Sequence, residues 1–277
     1  MRIPNGLLKD WWTLCTSLFL LLLAADRGQA QFFKVYEYGT PDAGAVEVSY
    51  WATYVPSSGE KMNFFGKNLS REELSAHSVE IEYGLSHRFT VGFYTDYLDP
   101  DGGNFEYIAS KLLARYRLYD KYHLPVDIAL YGEYIIPDKD YSDAEVFEFR
   151  AIIEKDIGPI RVDFNPTFEK KTSGDDVDEG VEFGYAAGIY YDNKGDGLWH
   201  TTNCHIRPGI EFYGEIGELA EAKGSNQQEH YVFPVLDLFY PRYANWAMHW
   251  NIGAGFGISD EADDTVIKSV LSFEFLF

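Results

Sequence analysis

Apolar and polar residues alternate along most of this chain, in segments of about ten residues that begin near Gly44. In the first segment, Val46 and Val48 share one face, while Glu47 and Ser49 share the other. A period of two is typical of half-buried strands, whereas apolar positions in helices recur every 3.6 residues. Twelve such segments follow one another to the C-terminus. Each is about long enough to cross a bilayer as a tilted strand.

The last segment, Lys268–Phe277, has an unbroken apolar face that ends on an aromatic residue. The residues on that face are Leu271, Phe273, Phe275 and Phe277. In a soluble protein, such a terminal strand would promote aggregation. It is expected where the apolar face contacts lipid and the other face lines a polar lumen.

These patterns predict an all-β fold, a transmembrane antiparallel up-and-down β-barrel of about 12 strands over residues 45–277. Soluble β-sandwiches also alternate, but their apolar face points inward and their polar face meets water. Alternation alone does not separate the two folds. The terminal aromatic face, the connections between segments and the N-terminal stretch favour the barrel.

The connections between segments fall into two alternating sets. One set is acidic and rich in glycine, and includes Pro56–Ser75 and Asp260–Asp264. The other is mostly shorter, such as Leu85–His87 and Ile157–Pro159, with Asn193–Asn203 as a long exception. Long loops outside and short turns on the periplasmic side are typical of bacterial outer-membrane barrels.

Residues 1–30 have the features of a secretory signal peptide. Basic residues precede the apolar run Leu14–Ala25, and Gly28–Ala30 supplies small residues at the expected cleavage positions. The alternative is an uncleaved membrane anchor, for which the apolar run is short. Cleavage would leave residues 31–44 as a periplasmic N-terminal segment, and no transmembrane helix would remain in the mature chain.

Composition narrows the functional classes. The formal net charge is −21, which argues against binding of nucleic acid, because phosphates require Lys and Arg. Cys15 would leave with the signal peptide, so Cys204 would remain alone and no intramolecular disulfide is expected.

With its signal peptide, alternating segments and terminal aromatic strand, the chain resembles Gram-negative outer-membrane β-barrel proteins of the porin type. The resemblance implies an outer-membrane location, contacts with outer-membrane lipid and lipopolysaccharide, and insertion by the barrel-assembly machinery. Leu271, Phe273, Phe275 and Phe277 look like the signal that this machinery reads. The segment Val79–Gly92 is also similar to an outer-membrane family linked to phenol-degradation pathways, which implies a transport-like role.

Charged residues on the inward face are the candidate lumen and selectivity residues. They are Glu80, Glu82, Arg88, Asp96, Arg115, Arg117, Asp127, Glu133, Glu148, Arg150, Arg161, Asp163, Glu182, Arg207 and Glu211. The same parity places Glu47, Lys111, Glu154, Glu169, Glu215, Asp237, Lys268 and Glu274 inward. Acidic strands lie next to basic ones, so ion pairs between neighbouring strands are expected.

The inward charges admit two interpretations. In one, they pair and fill a narrow barrel, since small barrels are packed by side chains; the barrel would then be non-conducting, with a structural or adhesive role. In the other, they line a water-filled path whose excess of carboxylates attracts cations. We therefore predict passive or facilitated passage of small solutes, with a preference for cations.

An outer-membrane lipid-modifying enzyme is the third alternative. Some twelve-strand barrels are phospholipases with a Ser/His/Asn set on the lipid-facing edge, but no His here stands beside a Ser in a segment resembling their motifs. Motifs of serine hydrolases, zinc proteases and phosphate-binding loops do not occur. The acidic loops lack the ligand spacing of an EF-hand. We predict no enzymatic activity, no cofactor and no metal site.

Overall fold

A computed structural model describes residues 32–58, 61–64, 67–99, 104–174, 177–192, 204–220, 227–243 and 245–277. The predicted signal peptide and parts of several predicted connections lie outside these residues. The strands are β1 (Ala45–Ser57), β2 (Lys61–Phe64), β3 (Lys67–Ser70), β4 (Ser75–Gly84), β5 (Phe89–Asp99), β6 (Glu106–Arg117), β7 (Asp127–Pro137), β8 (Val146–Ile157), β9 (Ile160–Lys171), β10 (Glu182–Tyr191), β11 (His205–Glu218), β12 (Glu229–Tyr243), β13 (Trp246–Gly257) and β14 (Thr265–Leu276). No helix among the described residues is long and apolar enough to cross a membrane.

Twelve of these strands form a closed antiparallel barrel, which confirms the predicted fold class. Each barrel strand pairs with its neighbours in the chain, and β1 closes the barrel against β14. In that seam, Ala45 lies opposite Leu276, and Glu47 lies opposite Glu274. The strands β2 and β3 form a separate hairpin within the first connection, where the sequence predicts no strand.

The outer face of the sheet is apolar and the inner face is charged, as in a membrane barrel. Outward apolar side chains remain exposed, for example Ile81 at 46% and Leu112 at 54%, whereas the inward Glu80 and Glu82 are buried. A soluble sandwich would have the opposite order. The large outward apolar surface therefore faces lipid.

The connections lie at two ends of the barrel. The long-connection end includes the first connection, which carries the β2–β3 hairpin, and the β13–β14 connection. The short-turn end includes the β4–β5 and β8–β9 turns, together with the start of β1 and the end of β14. The predicted alternation of long and short connections corresponds to these two ends.

The stretch before β1 covers most of the segment expected over residues 31–44. We term residues 32–42 the N-terminal segment, and its side chains Phe33, Val35, Tyr36 and Tyr38 are buried in the barrel interior. Phe33 and Val35 contact inward side chains on the β10–β14 side, while Tyr36 and Tyr38 contact those on the β5–β8 side. The aromatic and apolar side chains of this segment are removed from water there, which stabilises the inward position.

A tight turn joins the N-terminal segment to β1 at the short-turn end. Gly44 has φ = +84°, a conformation that favours glycine. Its N–H donates to the carbonyl oxygen of Gly84 at 2.8 Å, and the N–H of Ala45 donates to that of Asp42 at 2.9 Å. A Cβ at Gly84 would lie 2.1 Å from the Asp42 carbonyl oxygen, so glycine permits this close approach.

Phe277 allows recognition of the C-terminal residue to be tested apart from stability. It lies beyond the last residue of β14 and is 92% exposed, so it contributes little packing to the folded barrel. We expect Phe277→Ser to lower the yield of heat-modifiable barrel in the outer membrane. The urea midpoint of the purified, assembled fraction should not change.

The control is Phe105→Ser, which removes another exposed aromatic residue, at the long-connection end. It should leave the yield unchanged. Equal yields for Phe277→Ser and the parent protein would contradict the proposed assembly signal.

Candidate functional site

The candidate site is the barrel lumen, which the N-terminal segment occupies in part. The side chain of Asn165 on β9 binds both the N–H and the carbonyl oxygen of Tyr36 in this segment. The N–H of Tyr36 donates to Asn165 Oδ1 at 2.7 Å, and Asn165 Nδ2 donates to the Tyr36 carbonyl oxygen at 3.0 Å. The N–H of Tyr38 donates to Glu154 Oε2 at 2.8 Å. Inward side chains of the wall thus satisfy the extended backbone of the segment.

Charges on the N-terminal segment complement charges on the wall. The Glu37 carboxylate binds the guanidinium groups of Arg161 and Arg207. On the other side, Lys34 Nζ lies 3.0 Å from Glu80 Oε2. Because isolated buried charges are costly, these pairs fix where the segment lies along the lumen.

Other inward charges pair across the wall, as the sequence predicts. Arg207 Nη2 lies 2.8 Å from Asp237 Oδ2, and Arg115 Nη2 lies 3.0 Å from Glu82 Oε2. Lys268 binds Glu211 at the centre of the β11–β14 side. These contacts are buried and charge-assisted, so removal of one partner would leave an uncompensated buried charge.

The structure places the predicted lumen residues at three depths. Those buried in the barrel interior are Glu80, Glu82, Asp96, Arg115, Asp127, Glu133, Glu148, Arg161, Asp163, Arg207 and Glu211. Partly buried ones are Arg117, Arg150 and Glu182. Arg88 lies between β4 and β5 at the short-turn end, where its Nη2 is 2.9 Å from Asp120 Oδ1. It belongs to the rim and not to the lumen, because β5 begins only at the next residue.

An aromatic cluster of tyrosines also fills part of the lumen. The hydroxyls of Tyr36 and Tyr94 lie 2.5 Å apart, and each lies 3.4 Å from the hydroxyl of Tyr131. The Tyr131 hydroxyl in turn donates to Glu133. Sequence parity places Tyr94 and Tyr131 inward, but it does not show that Tyr36 joins them. The signal that could have revealed this is the aromatic content of residues 32–38, which is unusual for a solvated linker.

Among the described residues, two cavities lie beside the N-terminal segment. One, of about 390 Å³, runs along β11–β14 and β1 toward the short-turn end, where Glu47 and Glu274 line it. The other, of about 110 Å³, lies on the β4–β10 side and includes Asp96 and Glu215 in its lining. Lys34 and Tyr36 line both cavities, so these two side chains border each of them.

Arg71 anchors the first connection at the long-connection end. Its Nη2 lies 2.7 Å from Asp263 Oδ2 and 2.9 Å from the Tyr231 hydroxyl, and its Nη1 lies 3.1 Å from Glu229 Oε1. Burial lowers the pKa of Arg71, but Glu229, Tyr231 and Asp263 more than compensate and raise it above its ordinary value. The guanidinium is therefore charged throughout the physiological range, and it ties the connection to β12 and to the β13–β14 connection.

The fold, the outward apolar surface and the charged interior define a transmembrane β-barrel of the outer-membrane type. No family model matches the chain, and no curated protein matches it by sequence. The described residues also contain no group of three or more His, Cys, Asp or Glu that could hold a metal ion.

Solved structures match the chain by shape. The COG4313 outer membrane channel from Pseudomonas putida F1 superposes with a TM-score of 0.56 at 11% identity, over 91% of this chain and 100% of that chain. The KdgM porin gives 0.47 at 10% identity, over 83% and 99%. LpxR from Salmonella typhimurium gives 0.47 at 10% identity, over 83% and 100%. At such low identity, the likeness to the first of these shows the shared fold of outer-membrane barrels.

Asp163 and Asp237 form a matched pair for testing the buried charges. Asp163 is fully buried, and neither of its carboxylate oxygens has a hydrogen-bond partner among the described residues. Glu37 and Glu154 repel it, and Arg161 and Arg207 attract it less strongly. We expect Asp163→Asn to leave the free energy of unfolding unchanged or to raise it by about 1–3 kcal/mol, because it removes an unsatisfied charge. Urea unfolding in detergent, followed by tryptophan fluorescence, measures the change.

The control is Asp237→Asn, at a carboxylate that is fully engaged. Asp237 accepts hydrogen bonds from Arg207 at 2.9 Å and Asn251 at 2.9 Å, and its Oδ1 lies 2.8 Å from His249 Nε2. Its neutralisation leaves buried Arg207 with one fewer counter-charge and should cost about 3–5 kcal/mol. Equal destabilisation by the two substitutions would contradict this account of Asp163.

Proposed function

We propose that this barrel allows passive or facilitated passage of small solutes across the outer membrane and prefers cations. The fold supports a passage role, because channels are among the proteins that share it. The observation that carries the proposal is the pair of cavities beside the N-terminal segment, which leave unfilled space in the lumen.

The charges around the larger cavity support the preference for cations. Its acidic lining residues are Glu37, Glu47, Glu211, Asp237 and Glu274, and its Lys and Arg residues are Lys34, Arg115 and Lys268. Glu47 and Glu274 face each other across the β1–β14 seam near the short-turn end. Neighbouring carboxylates repel each other unless cations compensate them. An excess of carboxylates in a confined path attracts cations and repels anions.

Conductance of the purified protein in planar bilayers tests this function. We expect current steps and a reversal potential, under a KCl gradient, on the cation-selective side. The double substitution Glu47→Gln/Glu274→Gln should shift the reversal potential toward zero, because it removes two carboxylates from the path. The control Glu179→Gln changes an exposed connection carboxylate that pairs with Lys171 at 2.5 Å, and should have no effect.

A non-conducting structural or adhesive barrel is the second candidate. The observation that favours it is the N-terminal segment itself, which is bonded to the wall on both sides of the lumen. A complete absence of current steps from correctly folded protein would support this candidate and contradict the proposed passage. Steps without cation preference would retain the passage and contradict the preference.

We infer that the barrel is not an enzyme. One cluster on its outer face nevertheless resembles a catalytic triad, with Ser75 in the position of the nucleophile, His77 in that of the base and Tyr50 in that of the group that orients the base. His77 Nε2 lies 3.1 Å from Ser75 Oγ, and His77 Nδ1 lies 2.6 Å from the Tyr50 hydroxyl. Tyr50 stacks on the imidazole and Phe105 contacts it edge-on, as in an interfacial aromatic belt. A fatty-acid release assay with phospholipid vesicles checks this, and release abolished by Ser75→Ala would overturn it.

The proposed function also includes the partners expected from the sequence. Small solutes would enter the lumen, and outer-membrane lipid would cover the outward apolar surface. Contacts with lipopolysaccharide and insertion by the barrel-assembly machinery are part of the same proposal. The outward position of Phe275 and the exposed Phe277 support an assembly signal that is accessible at the C-terminal end of β14.

A further inference from the structure

The ammonium group of Lys34 lies in a small site made of two aromatic rings and one carboxylate. Its Nζ is 4.4 Å from the centre of the Trp51 ring and 4.5 Å from that of the Tyr36 ring. It is also 3.0 Å from Glu80 Oε2. Ring faces and a carboxylate together recognise an alkylammonium group, because the rings attract the charge and the carboxylate accepts its N–H groups.

Most of this site belongs to the wall of the barrel and not to the N-terminal segment. Trp51 on β1 and Glu80 on β4 are both buried, and Trp51 Nε1 donates to Glu80 Oε2 at 3.1 Å. Glu80 is fully buried, yet its Oε1 has no hydrogen-bond partner among the described residues, and the same is true of Glu82 Oε1. The wall therefore has buried acceptor capacity beyond what Lys34 uses.

The two other lysines of the lumen are held differently. Lys111 Nζ lies between two carboxylates, 3.1 Å from Asp96 and 3.3 Å from Glu133, with its nearest ring centres at 5.8 and 6.0 Å. Lys268 binds Glu211, and its nearest ring centres lie at 5.3 and 5.7 Å. Close aromatic contact on two sides thus distinguishes the Lys34 site from these pairs.

Lys34 and Tyr36 line both cavities, and Trp51 lines the smaller one. A solute that moves from one cavity to the other past the Lys34 side chain displaces the ammonium group that is paired with Glu80. A solute with an ammonium group can replace the contacts that Lys34 loses. A neutral or anionic solute leaves Glu80 without its counter-charge, which is costly in a buried position.

We propose that Trp51 and Glu80 form a binding site for the ammonium group of small organic amines, and that Lys34 is its built-in occupant, which an entering amine displaces. This inference rests on the proposed passage of solutes and names the substrate class for it. Aromatic faces do not coordinate hard metal ions, which prefer several oxygen ligands, so the site favours an organic ammonium over Ca²⁺ or Mg²⁺. Exchange of one ammonium for another keeps the site neutralised throughout passage.

The test measures binding of n-butylammonium to the full-length protein in detergent by isothermal titration calorimetry. In the parent protein the probe must displace Lys34, whereas in Lys34→Met the site is vacant. We expect Lys34→Met to bind n-butylammonium about tenfold more tightly than the parent. The added substitution Glu80→Gln in the same chain should abolish this gain, and tetramethylammonium should bind Lys34→Met more tightly than K⁺ does.

The matched control is Lys111→Met, which also frees luminal carboxylates but lacks two close rings. It should bind n-butylammonium no more tightly than the parent. An equal gain in Lys111→Met, or no gain in Lys34→Met, would overturn the proposal. Heat-modifiable mobility on a gel checks that each variant is folded. Lys34→Gln, which retains a polar side chain, is a second variant for which we expect the same gain in affinity.

Binding and conduction are measured separately, so the two proposals can fail separately. A tenfold gain in binding by Lys34→Met, in a protein that shows no current steps, would support the amine site and contradict the passage of solutes. Current steps in a protein whose Lys34→Met variant gains no affinity would retain passage and overturn the amine site.

Discussion

Compensation of buried charge is the constraint on which the rest of this structure depends. An inward-facing strand position in a barrel of twelve strands has little access to water, so a charge there requires an opposite charge within reach. The wall alone does not provide every partner. Glu80 finds its cation, and Arg161 and Arg207 gain a carboxylate, from Lys34 and Glu37 of the N-terminal segment. The position of that segment follows from this requirement.

The contacts that compensate the buried charges also fix the position of the N-terminal segment beside the two cavities. Asn165 binds the segment through its backbone, and the ion pairs fix its register, so Lys34 and Tyr36 border a larger and a smaller cavity. In the proposed passage, Lys34 and Tyr36 act as a barrier that can move. Such a barrier differs from a fixed constriction, because a solute with an ammonium group can replace Lys34 in its ion pair with Glu80. Passage and selectivity would then depend on the same few side chains, and the wall carboxylates beyond them would determine which ions approach.

Much of the fold could be predicted from the sequence, and the reasons are physical. A strand has a side-chain period of two, so Glu80 and Glu82 could be placed inward and Ile81 outward without knowing their partners. The N-terminal segment could not be placed in this way. It has no paired strand to set its parity, and its bonds to Asn165 and Arg207 join residues more than a hundred positions apart. Arg88 lies one residue before β5, where the parity of a strand no longer determines the direction of a side chain.

The attachment of the N-terminal segment to the middle of the sheet also bears on how the barrel closes. The seam joins β1 to β14, the two strands that lie farthest apart along the chain, and loop-closure entropy makes such a pairing slow. The segment directly precedes β1 and binds β9 through Asn165, at a separation of 129 residues. In the closed barrel, this contact joins the chain just before β1 to the middle of the sheet, independently of the β1–β14 seam. The start of β1 is therefore held at two places, by its strand pairing and by the segment that precedes it.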